Sequence, residues 1–141
     1  MNLEPTSDAQ ISSREKAEML LRSALFKKAF NPVLVKLEKL TSLTDYFLIV
    51  SARSGKHVTS VAEAVLTEAA GRQFPRYSVE GVKHGNWALL DYGDVIVHIF
   101  QTTVREFYDL EGLWAEAPRE MFSEDLSREI DDARKNHDED D

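Results

Sequence analysis

Residues 79–114 read VEGVKHGNWALLDYGDVIVHIFQTTVREFYDLEGLW, and they contain two apolar runs that predict neighbouring strands. The first run spans residues 87–92 and the second spans residues 95–101. The Gly93-Asp94 pair between them favours a tight turn, because glycine reaches positive φ without a Cβ clash. The second run is apolar on both of its alternating faces, which is typical of a central strand covered on each side. We therefore expect a hairpin within a sheet that has helices on both faces.

The rest of the chain alternates between helical and extended patterns. Helices are expected from Ser12 to before Asn31-Pro32, over residues 54–70 and from Thr103 to Gly112, and further strands over residues 33–39, 46–51 and 77–80. The last of these helices is predicted from an apolar stripe of Val104, Phe107, Tyr108 and Leu110. The strand at 33–39 alternates apolar and charged side chains toward its end, which predicts a half-exposed strand near an edge of the sheet. This mixed order predicts a three-layer α/β domain with a mixed β-sheet flanked by helices.

Charge and composition divide the chain into three parts. Residues 1–11 are short and polar, which predicts disorder, and residues 12–118 hold the domain. Residues 119–141 carry ten acidic and four basic side chains, so most of the net charge of −8 lies in this tail. The tail can still form a helix, with an apolar stripe of Met121, Phe122, Leu126 and Ile130. Such a balance disfavours non-specific binding to a phosphate backbone and favours a basic protein surface as partner.

Composition also excludes several classes of protein. The absence of cysteine excludes disulfides, thiolate metal sites and a cysteine nucleophile. No apolar run approaches the roughly 20 residues that a membrane helix requires. Glu4 and Asp8 precede Arg14, the first basic residue, unlike a signal or transit peptide. We therefore expect a cytoplasmic protein.

Motifs that would indicate an enzyme are incomplete. The Ser54-Gly55-Lys56 turn lacks the glycine and the following hydroxyl residue of a phosphate-binding loop, so it predicts a capped helix. Asp45, Asp91 and Asp94 raise the possibility of a two-metal site, but the last two are separated by a turn instead of forming Asp-x-Asp on a strand. We expect turn-forming aspartates there.

The histidines do not indicate a metal site either. The four histidines are His57, His84, His98 and His137, and their spacing is not that of a ligand set. His98 lies within the apolar strand, where a hydrogen-bonded core residue is the expected role. No nucleophile-elbow sequence supports a catalytic triad. We predict no catalytic residue, no metal and no cofactor.

Aromatic and acidic side chains cluster around the hairpin and downstream of it. The cluster consists of Trp87, Asp91, Tyr92, Asp94, Tyr108, Glu111 and Trp114. Aromatic anchors beside carboxylates suit a protein interface whose partner offers arginine and lysine. The alternative is core packing, with Trp87 beneath a loop and Trp114 holding the last helix. The residues alone leave both interpretations open.

Several blocks resemble the Iojap-related ribosomal silencing factor family. They are Leu43-Thr-Asp-Tyr-Phe-Leu-Ile-Val-Ser, Lys56-His-Val-x-Ser-Val-Ala, Val79-Glu-Gly, Gly93-Asp-Val-Ile-Val-His-Ile and Tyr108-Asp-Leu-Glu-x-Leu-Trp. They occur in the family's order over residues 14–114. Several blocks in register are a specific signal, whereas any one of them alone is weak.

The resemblance implies a fold, a function and partners. The fold would be nucleotidyltransferase-like, and the protein would be a translational repressor rather than an enzyme. It would bind the large ribosomal subunit through large-subunit ribosomal protein fourteen, block joining of the small subunit and form a homodimer, without sequence-specific nucleic-acid binding. The resemblance favours an interface for part of the aromatic and acidic cluster, and we predict partner binding by Trp87, Asp91, Tyr92, Asp94, Tyr108 and Glu111. The alternative is a nucleotidyltransferase-like or phosphate-ester-processing enzyme, which a strand-end Asp-x-Asp would have favoured.

Overall fold

A computed structural model describes residues 11–122 and 124–140 of the chain. The elements are α1 (Ser13–Phe26), β1 (Phe30–Lys36), β2 (Tyr46–Ala52), α2 (Gly55–Gly71), β3 (Ser78–Glu80), β4 (Trp87–Asp91), β5 (Val95–Gln101), α3 (Thr102–Tyr108), α4 (Leu110–Leu113), β6 (Arg119–Met121) and α5 (Glu124–Asp140). Apart from Ile11, the predicted disordered N-terminus lies outside the described residues. None of the helices in the described ranges combines the length and the apolar character that crossing a membrane requires.

The strands form one mixed sheet with the order β3-β4-β5-β2-β1-β6. The central pair, β2 and β5, is parallel, and the other neighbours are antiparallel. The predicted hairpin is confirmed, because the Tyr92 amide donates to the Val95 carbonyl at 2.9 Å and Gly93 has a φ of 86°. The predicted mixed sheet, with the 95–101 strand in its centre, is thus confirmed.

Two apolar cores lie on opposite faces of this sheet. On one face, helices α1 and α2 pack against side chains such as Leu48, Val50 and Val97. On the other face, α3, α4 and the segment after them cover side chains such as Phe47 and Ile49. Because each strand alternates its side chains between the two faces, both cores are continuous across the central strands. The predicted three-layer α/β architecture is therefore confirmed.

β1 lies near an edge of the sheet, as predicted, but the prediction that it is half-exposed is wrong. Val33, Leu34 and Val35 are all buried, and β6 pairs with β1 on its outer side. The charged residues that suggested exposure lie at the end of the strand, at Lys36, and beyond it, at Glu38. They mark where the strand stops and not a solvent-facing side.

The tail contributes to the sheet before it forms a helix. A helix was expected directly after Pro118, with all strands complete by then, but β6 intervenes and α5 begins at Glu124. In α5, Ile130 is 5% exposed and packs into the α1 core. The Arg22–Glu129 ion pair between the two helices is mostly exposed and is therefore worth little. Burial of Ile130 is the stronger contribution to docking of α5.

The helix expected between Thr103 and Gly112 is broken in two. Asp109 adopts a left-handed conformation with a φ of 45°, which ends α3 and begins α4. The predicted apolar stripe included Phe107 and Tyr108, yet these side chains are 81% and 55% exposed. Both side chains lie in the last turn of α3, just before the break, and this part of the stripe is a surface feature.

His98 is a buried polar residue in the second core, as predicted. It is 3% exposed, and its Nδ1 accepts a hydrogen bond from Trp87 Nε1 at 3.1 Å. The ring of Phe47 meets it edge-on, with centroids 4.6 Å apart. Burial disfavours the charged imidazolium and lowers the pKa of His98 from 6.5 to about 4.

Replacing Ile130 tests the docking of α5. Ile130→Ala should lower the free energy of unfolding by about 2–3 kcal/mol, because it leaves a cavity in the α1 core. Asp132→Ala is the matched control on the same helix, since Asp132 is exposed; it should change stability by no more than about 0.5 kcal/mol. Denaturant unfolding measures both. Equal small effects would contradict docking of α5.

The pKa of His98 predicts a specific pH dependence of stability. The unfolded state takes up a proton near pH 6.5 whereas the folded state resists it until about pH 4, so stability falls as pH drops through this window. His98→Gln keeps a hydrogen-bond acceptor for Trp87 but does not titrate. Relative to this variant, the wild type should lose about 2–3 kcal/mol between pH 7 and pH 4.5 in denaturant unfolding. Parallel pH profiles would show that His98 is not buried as described.

Candidate protein-interaction surface

Strand β4 presents a partly exposed strip of side chains. Trp87, Leu89 and Asp91 are half-buried on one face of the strand, whereas Ala88 and Leu90 are fully buried on the other. This alternation follows from the two-residue period of an extended chain. The short helices on this face pack over β2 and β5 and leave β4 beside them. The strip is therefore anchored in the core on one side and open to solvent on the other.

Aromatic rings extend this strip outward from the core. The indole of Trp87 stacks on the buried ring of Phe100, with centroids 4.7 Å apart. Tyr108 lies 5.0 Å from Trp87, and Phe107 lies 5.0 Å from Tyr108 in an edge-to-face arrangement. The series thus runs from a fully buried ring to one that is mostly exposed. Both interpretations of Trp87 apply, because it packs in the core and borders solvent.

Two carboxylates flank the strip. Asp91 shares the face of Trp87, and one of its oxygens accepts a hydrogen bond from the Gly93 amide at 2.8 Å, as expected of a turn-forming aspartate. Glu80 of β3 pairs with Leu89 in the ladder, and directly opposed residues share a face. Glu80 is exposed. We name these side chains the Trp87 surface: Glu80, Trp87, Leu89, Asp91, Phe107 and Tyr108.

Tyr92 and Asp94 do not join this surface. Tyr92 is 2% exposed in the core beneath α1 and α2, where burial raises its pKa. It therefore offers no surface to a partner. The carboxylate of Asp94 accepts a hydrogen bond from Lys16 Nζ at 2.8 Å, and Lys16 belongs to α1 on the opposite face of the sheet. Asp94 ties the hairpin turn to that helix.

Glu111 and Trp114 have structural contacts. One oxygen of Glu111 accepts from Arg105 Nε at 3.1 Å and from Nη2 at 2.7 Å, and both side chains are largely buried. The remaining guanidinium nitrogen, Nη1, donates to Ser51 Oγ at 2.8 Å, so the ion pair fastens α3 and α4 to the sheet. Trp114 meets Phe47 edge-on at 6.2 Å and is half-buried. Glu111 therefore has a structural role in holding α3 and α4 to the sheet and is not part of the Trp87 surface.

The features that suggested an enzyme do not converge. Asp91 and Asp94 extend from opposite faces of the sheet, and among the histidine and carboxylate side chains that the structure describes no three could hold a metal ion. A groove of about 680 Å³ lies between α1 and α2, and none of the aspartates considered above lines it. Ser54 Oγ accepts from the His57 amide at 3.1 Å, which confirms the predicted helix cap.

Sequence reasoning missed Glu80 and Phe107. The signal for Glu80 was its place in a short strand next to β4, but only the pairing register puts it beside Leu89. Phe107 was assigned to an apolar stripe of one longer helix. The sequence does not show that this helix ends before Asp109 or that the ring of Phe107 is exposed. The residues of this one surface come from two strands and a helix, so no single stretch of the sequence shows them together.

The chain is similar to several named proteins. It is 32% identical over 108 residues to ribosomal silencing factor RsfS of Halalkalibacterium halodurans, an alignment that covers 77% of this chain and 92% of that protein. It is 35% identical over 92 residues to RsfS of Bacillus subtilis, with 65% of this chain and 78% of that protein covered. It is also 31% identical over 101 residues to the chloroplastic protein Iojap of Zea mays, covering 72% of this chain and 44% of that protein.

Solved structures share the fold. A crystal structure of a Chromobacterium violaceum protein superposes with a TM-score of 0.73 and 28% identity, covering 74% of this chain and 88% of that one. A Bacillus halodurans protein gives a TM-score of 0.69 and 29% identity, covering 77% and 99%. A sequence model of the family described as ribosomal silencing factor during starvation matches residues 10–141. The chain therefore belongs to the RsfS family of ribosomal silencing factors.

Proposed function

We propose that this protein is a cytoplasmic translational repressor that binds the large ribosomal subunit through large-subunit ribosomal protein fourteen and thereby blocks joining of the small subunit. Membership of the RsfS family supports the ribosomal setting. The observation that carries the proposal is the Trp87 surface, in which a series of aromatic rings continues outward from a strand face that also carries two carboxylates, Asp91 and Glu80. The protein acts by occupying a site, without turnover or a cofactor.

The contacts of Trp87 make it a suitable anchor. Its ring is held by stacking on Phe100 and by the hydrogen bond to His98, so little side-chain entropy remains to be lost on binding. Tyr108 and Phe107 add apolar area that a partner can bury. A preorganised aromatic centre of this kind is typical of the few residues that dominate interface energies.

The carboxylates suit a basic partner. Asp91 and Glu80 border the aromatic centre, where they can pair with lysine and arginine side chains at the rim of an interface. Rim charges of this kind chiefly raise the association rate and select the partner. They also disfavour direct contact of the Trp87 surface with RNA phosphates, so a ribosomal protein is the favoured partner here.

The enzymatic alternative has less support. A two-metal site requires carboxylates that converge on two cations about 4 Å apart, whereas Asp91 and Asp94 lie on opposite faces and Asp94 is paired with Lys16. The nucleotidyltransferase-like relationship and the homodimer, which the family resemblance implies, stay predictions.

Subunit joining tests the proposal directly. Added to separated ribosomal subunits, the protein should sediment with the large subunit and reduce the fraction of joined ribosomes, because it occupies part of the contact area. Sucrose-gradient sedimentation at increasing protein concentration measures both effects. Sedimentation with the small subunit alone, or undiminished joining at saturation, would contradict the proposal.

Substitutions on the Trp87 surface should weaken large-subunit binding. Tyr108→Ala and Asp91→Arg change exposed or half-exposed side chains and should keep the fold, whereas Trp87→Ala also removes a ring that packs on Phe100. Loss of an aromatic anchor should cost about 2–4 kcal/mol of binding free energy. Equilibrium binding to purified large subunits, together with melting temperatures, measures these changes.

Matched controls lie away from this surface. Met121→Ala removes an apolar side chain that is 66% exposed on β6, at the opposite edge of the sheet, and Asp132→Arg reverses an exposed carboxylate on α5. Both should bind like the wild type. Normal binding of Tyr108→Ala and Asp91→Arg would exclude their side chains from the site. Unfolding of Trp87→Ala would show that the main role of Trp87 is packing in the core and not partner binding.

A further inference from the structure

A group of basic side chains lies at one end of the sheet, where β2 ends and β4 begins. They come from three connecting segments, after α1, between β2 and α2, and between β3 and β4. The five side chains, named here the basic edge, are Lys27, Lys28, Arg53, Lys56 and Lys83. Residues 27–31, 53–57 and 81–86 contain no acidic side chain, although the whole chain has 25. The net charge of −8 therefore hides a locally positive surface.

Hydrogen bonds through His57 join the first two segments. Its Nδ1 accepts from the Arg53 amide at 2.9 Å, so the neutral ring carries its proton on Nε2. Nε2 donates that proton to the Lys27 carbonyl at 2.7 Å. A single imidazole thus holds the end of α1 against the start of α2. The backbone of Lys27 therefore lies beside Arg53 and the first turn of α2, where Lys56 is, whereas Lys28 also lines a groove with Asp131 and Arg134 of α5.

A close backbone contact brings in the third segment. Gly85 has a φ of 75°, and a Cβ there would lie 2.6 Å from the Gly55 carbonyl oxygen, so this approach requires glycine. Gln101 Nε2 donates to the Gly85 carbonyl at 2.9 Å, and Thr59 Oγ1 donates to the Val82 carbonyl at 2.6 Å. The loop that carries Lys83 is therefore fixed beside the start of α2.

The side chains of the basic edge are available to a ligand. All five residues are exposed, and among the described residues none of them forms an ion pair within the chain. By contrast, Arg14, Lys16, Lys36 and Arg105 are paired with carboxylates. The first turn of α2, which includes Lys56, also contains no acidic residue.

Lys28 occupies a position that would favour glycine. Its φ is 69°, in the left-handed region where a Cβ raises the energy. The fold thus places a lysine where glycine would be less strained, and the lysine contributes charge to the basic edge. Strain of this kind is consistent with a role outside folding.

The basic edge adjoins the Trp87 surface. The loop containing Lys83 leads through Asn86 directly into Trp87 at the start of β4, and the Gln101 amide donates to the Asn86 carbonyl at 3.1 Å. When a partner covers Trp87, the molecules that lie next to that partner therefore come close to the basic edge. For a ribosomal protein, those surroundings are ribosomal RNA.

We propose that the basic edge binds the phosphate backbone of ribosomal RNA next to the ribosomal protein that the Trp87 surface contacts. This inference rests on the proposed function and adds a second, electrostatic contact to it. Lysine side chains meet phosphates as point charges and read no base sequence, so the contact orients the protein without conferring sequence specificity. The acidic side chains of the Trp87 surface then face the basic protein, and the adjoining basic edge faces the RNA beside it.

Salt dependence of binding tests this contact. Binding to purified large subunits and to the isolated ribosomal protein is measured over a range of salt concentrations for wild type and Lys56→Gln/Lys83→Gln. The control is Arg76→Gln/Lys135→Gln, which removes the same charge from exposed positions, before β3 and on α5. The first variant should bind subunits at least about threefold more weakly near 100 mM salt, with the salt slope reduced by about one to two. Its binding to the isolated protein should match that of the wild type.

Lys28→Gly gives a second and independent readout. Glycine relieves the left-handed strain, so this variant should melt at a higher temperature while binding large subunits more weakly. A loss of binding that accompanies a gain in stability has no explanation in misfolding. Unchanged subunit binding in this variant would remove Lys28 from the contact.

The remaining outcomes separate the inference from the proposed function. An unchanged salt slope in Lys56→Gln/Lys83→Gln would overturn the RNA contact while leaving the protein site intact. Equal weakening toward the subunit and the isolated ribosomal protein would also overturn it, by assigning the basic edge to an acidic protein patch. Failure of the wild type to bind either one would overturn the proposed function and the inference together.

Discussion

The parallel pairing of β2 with β5 is the constraint on which the rest of the structure depends. Seven residues of each strand pair in register, from Tyr46 with Val95 to Ala52 with Gln101. All of them except Gln101 are buried, because helices cover both faces of the sheet. Parallel strands end at the same edge of a sheet, so α2 and α3 both start there. This places the start of α2, the end of the β3–β4 loop and the exposed aromatic rings of α3 close to one another.

The arrangement brings surfaces of opposite character side by side. The Trp87 surface is aromatic with acidic borders, and the basic edge lies beyond Asn86 at the start of the same strand. Neither is apparent from the net charge of the chain, which the acidic tail dominates. Under the proposed function and the inferred RNA contact, the two surfaces together select a composite target, part basic protein and part nucleic acid, over either component alone.

Local sequence patterns were sufficient to predict the strands and the turn at the centre of the fold. The apolar runs of β2 and β5 and the Gly93 turn depend on neighbouring residues, and the structure agrees with them. The edge was different, because β6 has only three residues and forms through pairing with β1. A strand so short has no readable period, and without it β1 was predicted to be half-exposed.

The candidate site shows the same limit on a smaller scale. Asp91, Tyr92 and Asp94 are close in sequence, but the pleat and the turn send Asp91 to one face and the other two to the opposite side. The chemistry of Trp87 and Tyr108 indicated an interface, whereas membership of a shared surface required the register and the break at Asp109. Residue types therefore predicted the kind of site, and tertiary geometry determined its members.

Hydroxyl-radical footprinting of the protein bound to the large subunit tests the central claim, that the Trp87 surface is the ribosome-facing side. Phe107, Tyr108 and Met121 are all more than half exposed in the free protein and should be oxidised there. On binding, Phe107 and Tyr108 should become protected while Met121, on β6 at the opposite edge of the sheet, remains reactive. Protection of Met121 with unchanged oxidation of Phe107 and Tyr108 would contradict the claim and place the contact at that opposite edge.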